Sequence, residues 1–211
     1  MFYLTCFKFF YNYIMETKEK IIQAATGLFL EKGYERTSVR EIASRANINL
    51  ALMNYYFRSK EILFETIVNL LIGKTSGVLK KILDSDLNLE EKIWQYICKY
   101  IDMLIQNPLL VSFILAVLNR NPDQLTKLTV TDNLYNSEVF KKQLLVELNK
   151  GKIKNTDPEQ FYINMLSMIA FPFAIKKIII HRNNFTEQEF ISFIENRKQI
   201  VFNTLVNDLK L

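Results

Sequence analysis

Apolar residues along the first third of this chain fall at helical spacing, and the polar residues between them mark where each helix starts and stops. In the segment from Thr17 to Tyr34, Ile21, Ile22, Ala25, Leu28 and Phe29 form one stripe, and Gly33 suits a helix C-terminal stop. Ser38 is a cap for a short helix that turns Val39, Ile42 and Ala43 inward, with the small Ala43 where a neighbouring helix must approach. Asn47 lies in the turn four residues later, and asparagine is the non-glycine residue that best tolerates a left-handed backbone. Ile48 fills the corner, and Asn49 caps a second helix from Leu50 to Phe57. On that helix Met53 and Phe57 share the inward face, while Ala51, Asn54, Tyr55 and Arg58 share the outward one. Two short helices joined by a tight turn, the second with a polar, aromatic and basic surface, make a helix-turn-helix pattern suited to the DNA major groove.

Ser59 is a cap for a long fourth helix that runs to about Leu83. Asn88 with Glu91 opens a helix to about Gln106, and Pro108 to Leu118 reads as a short apolar helix ended by Asn119-Arg120-Asn121-Pro122. Residues 139–149 are amphipathic and stop at Lys150-Gly151. Asp157-Pro158 starts a helix predicted to reach Ile180 with a bend at Pro172, and Thr186 with Glu189 caps a last helix to about Leu209. The fold class is therefore all-α with about nine helices. A helix-turn-helix domain is expected over 15–75 and a larger helical domain over 76–211.

Three sub-motifs recur in order: Ala24-Ala25 through Leu28-Phe29 to Lys32-Gly33-Tyr34; Thr37-Ser38 with Glu41-Ile42-Ala43; and Tyr55-Tyr56-Phe57 with Ser59-Lys60-Glu61 and Leu63-Phe64. This arrangement, over roughly residues 17 to 68, resembles the TetR family of bacterial transcription regulators. Asn47 stands where that family usually has glycine, and Asn54 where it often has tyrosine. Leu50 and Ala51 replace a polar residue and a small one. The resemblance implies a homodimer, most often a repressor, that binds a palindromic operator on double-stranded DNA as two half-sites. Asn54 would read an adenine edge, and Leu50 and Ala51 would touch a thymine methyl. Asn49, Tyr55, Tyr56 and Lys60 would hold the phosphate backbone, with further contacts from Thr37, Ser38 and Arg40.

The resemblance also implies a pocket between the middle helices for a small, apolar effector with a polar handle. Trp94, Tyr96, Tyr100, Met103, Phe113, Leu118, Phe140, Tyr162, Met165 and Met168 are its candidate lining. The last two long helices would pair with their symmetry mates, through Phe171, Phe173, Ile175, Phe190, Phe193, Ile194, Val201 and Leu205. Each of these apolar residues is equally suited to the protomer's own core.

Charge changes the picture in one place. The chain carries +5, from 27 basic and 22 acidic residues. Residues 36–60 hold Arg36, Arg40, Arg45, Arg58 and Lys60 against Glu41 alone, a local excess of four. That segment suits phosphate contact with counterion release. The two cysteines, Cys6 and Cys98, lack framework spacing, which favours free thiols in a reducing, cytoplasmic setting.

Residues 1–14 contain seven aromatics: Phe2, Tyr3, Phe7, Phe9, Phe10, Tyr11 and Tyr13. They lack the basic start and small-residue cleavage site of a signal peptide and are too short to span a bilayer. Translation from Met15 is the preferred reading, leaving 1–14 as an extension. The apolar run Phe161 to Ile175 is interrupted by Asn164, Ser167 and Pro172, so a buried helix is expected there rather than a membrane span.

Catalysis finds little support. His181 is the only histidine and sits beside Arg182 at a helix end, with no partners for a triad or a metal hydrolase. No glycine-rich phosphate loop follows a strand, and no cofactor is expected. Two other classes stay open at this point: a helical small-molecule sensor or carrier that no longer binds DNA, and a membrane-associated protein anchored by residues 1–14.

Overall fold

A computed structural model describes residues 2–108, 110–118 and 137–210, with backbone alone for 2–15, 74–75 and 116–118. Every regular element among them is an α-helix. In order they are α1 (Phe2–Lys32), α2 (Val39–Arg45), α3 (Leu50–Tyr56), α4 (Lys60–Leu83), α5 (Leu89–Gln106), α6 (Leu110–Leu118), α7 (Glu138–Asn149), α8 (Pro158–Ala174), α9 (Lys176–Asn183) and α10 (Glu187–Leu209). The expected stop at residues 119–122 lies outside the described residues. The chain forms two compact units, Met1–Leu71 and Ile72–Leu211, with α4 running across the boundary.

The first unit packs α1 against α2 and α2 against α3. The stripe expected on α1 is the one that turns inward: Ile21, Ala25, Leu28 and Phe29 are buried, and Ile22 half-buried. They meet Ile42 and Ala43 from α2, Met53 from α3, and Leu63, Phe64, Ile67 and Val68 from α4 in one apolar interior. Phe29, Tyr34 and Phe64 form its aromatic centre, with ring centroids 5.5, 5.4 and 4.7 Å apart in tilted and edge-on arrangements.

The second unit is organised around α5 and α8. On α5, Leu89, Ile93, Tyr96, Ile97, Tyr100, Ile101 and Leu104 recur every three or four residues and are all buried. This stripe meets α8 and α10, and α8 also packs on α6, α7 and α9. The backbone N–H of Lys154 donates to the Leu209 carbonyl at 2.9 Å, fastening the α7–α8 connection to the end of α10. Lys198 bridges α10 to Asp102 of α5.

The helix expected from Pro158 to Ile180 is two helices, which is why ten are found among the described residues where about nine were expected. Pro172 has no N–H to give the Met168 carbonyl one turn back. That carbonyl instead accepts from Arg197 Nε of α10, at 3.0 Å. With the orphaned acceptor satisfied, the helix tolerates its proline and runs on to Ala174. The break comes at Ile175 (φ −106°, ψ 19°), beyond which α9 leaves at 62°.

By length and apolar content α4 and the bent α8–α9 pair are each sufficient to cross a bilayer. Both have core-helix patterns instead: α4 buries Leu63, Ile67 and Ile72, and α8 buries Phe161, Tyr162, Met165, Ile169 and Phe173.

An Arg197→Met substitution keeps the apolar stem but strands the Met168 carbonyl. It should cost about 1–3 kcal/mol in urea unfolding. Pairing it with Pro172→Ala, which restores the missing N–H, should recover most of that loss in a double-mutant cycle.

Candidate nucleic-acid interface

The turn between α2 and α3 is built as its residues dictate. Ser38 Oγ accepts from the Glu41 backbone N–H at 3.2 Å, and Glu41 returns the contact to the Ser38 N–H at 2.8 Å, closing a capping box. Asn47 adopts φ 54°, the left-handed conformation expected of it, and its N–H donates to the Ser44 carbonyl. Ile48 N–H then bonds the Ala43 carbonyl at 3.0 Å. Asn49 Oδ1 accepts from Leu52 N–H at 2.7 Å, which starts α3. Ser59 Oγ caps α4 by accepting from Ile62 N–H. The small Gly27 also has a reason: a Cβ there would stand 3.2 Å from the Arg45 guanidinium, which crosses to Glu31 at 2.9 Å.

These caps present one exposed face. Met53 and Phe57 are buried, while Leu50, Ala51, Asn54, Tyr55 and Arg58 are exposed, Tyr55 to 74%. Tyr55 and Tyr56 stack edge-on at 5.3 Å. Of the remaining expected contact residues, Ser38, Arg40 and Asn49 are exposed and Tyr56 is half-exposed.

Two expectations need correction. Thr37 is buried, and its hydroxyl donates to the Gly33 carbonyl at 2.8 Å, so it locks the α1–α2 connection and does not face outward. Lys60 turns inward as well: its Nζ donates to the Tyr34 and Thr37 carbonyls, each at 3.1 Å, and sits 4.0 Å from the Tyr34 ring centre. Neither outcome can be read from residue type, because threonine and lysine at a helix start suit either role.

The basic residues divide the same way. Arg45 is paired with Glu31, and Lys32 with Glu41. Lys32, followed by the Ser38 N–H and hydroxyl, holds the Glu41 carboxyl down to about 2. The Tyr34 hydroxyl donates to Glu61 and lowers that carboxyl too. Arg36, Arg40 and Arg58 are exposed and have no ion-pair partner among the described residues. Arg36 and Arg58 are the cations that residue-by-residue reading passed over, although both stood in the local charge excess.

In the second unit the expected pocket lining separates into two groups. Tyr96, Tyr100, Phe113, Phe140, Tyr162 and Met165 are buried. Phe140 lies 6.1 and 6.4 Å from the rings of Phe161 and Tyr162, and Tyr96 lies 5.9 Å from Tyr100. Burial pushes the hydroxyls of Tyr96 and Tyr162 up and that of Tyr100 up to about 12. Met103 and Met168 are half-buried, and the Leu118 side chain lies outside the described residues. Trp94 departs from expectation: it is exposed and packs edge-on against Phe202 of α10, 5.3 Å away.

The expected pairing surface is corrected more heavily. Phe173, Phe190, Ile194, Val201 and Leu205 are buried in the protomer's own core, with Phe173 edge-on to Phe190 at 6.0 Å. Ile175 is half-buried. Only Phe171 and Phe193 of that set are exposed, and Ile178 and Ile200 join them. His181 is exposed and Cys98 is a free thiol, while the Cys6 side chain lies outside the described residues.

Asn47→Gly should be neutral or slightly stabilising, because glycine adopts the left-handed turn without steric cost. Asn47→Ala should cost about 1 kcal/mol by thermal or urea unfolding.

Comparisons with known proteins agree with this geometry. Residues 21–67 match the family model described as bacterial regulatory proteins, tetR family. The Bacillus subtilis protein named "Probable HTH-type transcriptional regulator YttP" is 49% identical over 55 residues, 26% of this chain and 27% of the relative. IcaR of Staphylococcus aureus, a negative regulator of the icaADBC biofilm operon, is 46% identical over 48 residues, 23% of this chain and 26% of its own. The matched stretch thus spans about a quarter of these curated relatives. Bacillus subtilis FadR, solved with stearoyl-CoA, superposes with a TM-score of 0.66 at 18% identity, over 90% of this chain and 98% of its own. PfmR of Thermus thermophilus gives 0.66 at 20% identity, over 86% and 93%. These relatives are regulators, not enzymes. Residues 21–67 thus match the tetR-family model, and over most of its length the chain has the fold of TetR-family regulators.

Proposed function

We propose that this chain is a cytoplasmic transcription regulator, acting as a homodimer that represses by occupying a palindromic operator. The observation that carries the reading is the outer face of α3, where Leu50, Ala51, Asn54 and Tyr55 stand exposed on a helix anchored from below by Met53 and Phe57. Asn54 carries an amide that can pair with an adenine edge in the major groove, and Leu50 and Ala51 offer apolar contact to a thymine methyl. Asn49, Tyr55, Tyr56, Ser38 and Arg40 supply backbone contacts. A dimer presents two such helices to half-sites one helical turn apart.

The dimer surface is drawn from Phe171 on α8, Ile178 on α9, and Phe193 with Ile200 on α10. All four are large, apolar and exposed. Phe193 and Ile200 are seven residues apart and so share a helix face.

The effector is a small apolar molecule with a polar handle. Tyr96, Tyr100 and Tyr162 place neutral hydroxyls among Phe140, Phe161 and Met165, the mixture that orients such a ligand. The FadR structure holds an acyl-CoA on the same fold. Release follows from differential affinity: an effector that binds better to the conformer with widely spaced recognition helices drains the DNA-competent population.

Genome-wide binding, followed by gel shift with the recovered sites, tests the reading. A protein that ignores duplex DNA at low salt would be a sensor without a DNA partner, and the regulator reading would fall. On the recovered operator, Asn54→Ala should cost about 1–3 kcal/mol at a single base position and little elsewhere. Phe193→Glu should shift sedimentation from dimer towards monomer; an unchanged dimer would remove α10 from the interface.

A further inference from the structure

We infer that Lys60 is a positioning residue for DNA binding and not a phosphate contact. It ties the connection between α1 and α2 to the start of α4 and so fixes how α2 and α3 are presented. The inference rests on the DNA-binding reading above.

Lys60 is the first residue of α4, where the helix dipole disfavours a cation. Its surroundings compensate for that placement. Two of the three ammonium N–H donors go to the carbonyls of Tyr34 and Thr37, and the charge lies over the Tyr34 ring. The neighbouring Glu61 accepts from the Tyr34 hydroxyl, so the first two residues of α4 hold both ends of the same tyrosine. Thr37 is fixed a second way through its hydroxyl to Gly33. Ser38, the next residue, is the cap of α2. A group that holds the carbonyl just before that cap therefore sets where α2 begins. α3 follows through the Asn47 turn, and with it the exposed face. Arg36, Arg40 and Arg58, exposed and without ion-pair partners among the described residues, are the cations available for phosphate.

Salt dependence separates the two roles, because each neutralised phosphate contributes about 0.9 to the slope of log K against log salt. Fluorescence anisotropy with a short mixed-sequence duplex, from about 50 to 200 mM salt, reads that slope without knowledge of the operator. Lys60→Met should weaken binding about three- to tenfold at every salt concentration and leave the slope unchanged, as a smaller binding-competent population requires. Arg58→Gln should lower the slope by about 0.9. Amide exchange of the free protein over residues 37–42 should accelerate in Lys60→Met and stay at the wild-type rate in Arg58→Gln. Lys60→Gln, which retains a donor, should restore part of the protection, and it serves as the binding variant if Lys60→Met does not fold. A slope reduced by about 0.9 in the Lys60 variants, or unaltered exchange at 37–42, overturns the inference. Wild-type protein that fails to bind DNA would instead defeat the regulator reading, and amide exchange alone would then decide the clamp.

Discussion

Seven residues are too few for a helix to survive alone in water, since nucleation is costly and isolated helices below about 12–15 residues are marginal. Both α2 and α3 are of that length. The exposed face of α3 therefore exists only because other groups hold it in place. Ile42, Ala43, Met53 and Phe57 fix it from inside, the Ser38–Glu41 and Asn49 caps satisfy its loose N–H groups, and Asn47 sets the angle between the two helices. The aromatic centre of Phe29, Tyr34 and Phe64 supplies the platform beneath. The proposed reading of bases by this surface requires such rigidity, because base contacts discriminate only when donor and acceptor positions are fixed.

The local charge excess is real, but only part of it is available outside the protein. Arg45 and Lys32 brace α1 against α2, and Lys60 closes the connection between them. Exposed ion pairs of this kind contribute little stability singly. Their larger effect is to decide which cations stay without an ion-pair partner at the surface. Three arginines distributed before, on and after the helix-turn-helix are left exposed, and in the proposed function they are the cations available to phosphate.

In the second unit several polar groups among the described residues have a specific task. Arg197 answers the carbonyl that Pro172 strands, allowing α8 to continue through a residue that ordinarily ends a helix. Lys92 is fully buried, donating to Gln143 Oε1 at 2.6 Å, while Gln143 in turn donates to the Leu87 carbonyl. Burial pulls its pKa down. The three tyrosines keep neutral hydroxyls inside an apolar interior, the feature on which the proposed effector site rests.

Much of the first unit was legible in the chain because its signals are local. A cap, its partner three residues later, a left-handed asparagine and a 3.6-residue stripe all act within one or two turns, and Ser38, Asn47, Asn49 and Gly33 did what their chemistry predicts. Helix positions in the second unit were legible for the same reason. What the chain alone did not determine was the partner of each long or ambiguous side chain. Lysine at position 60 reaches phosphate or carbonyl with equal ease, and Phe173 or Phe190 suits a core as well as an interface. Pro172 ends a helix unless a donor from elsewhere meets the stranded carbonyl. Those choices depend on which groups a distant stretch of chain brings within a few ångströms, and only the tertiary structure decided them.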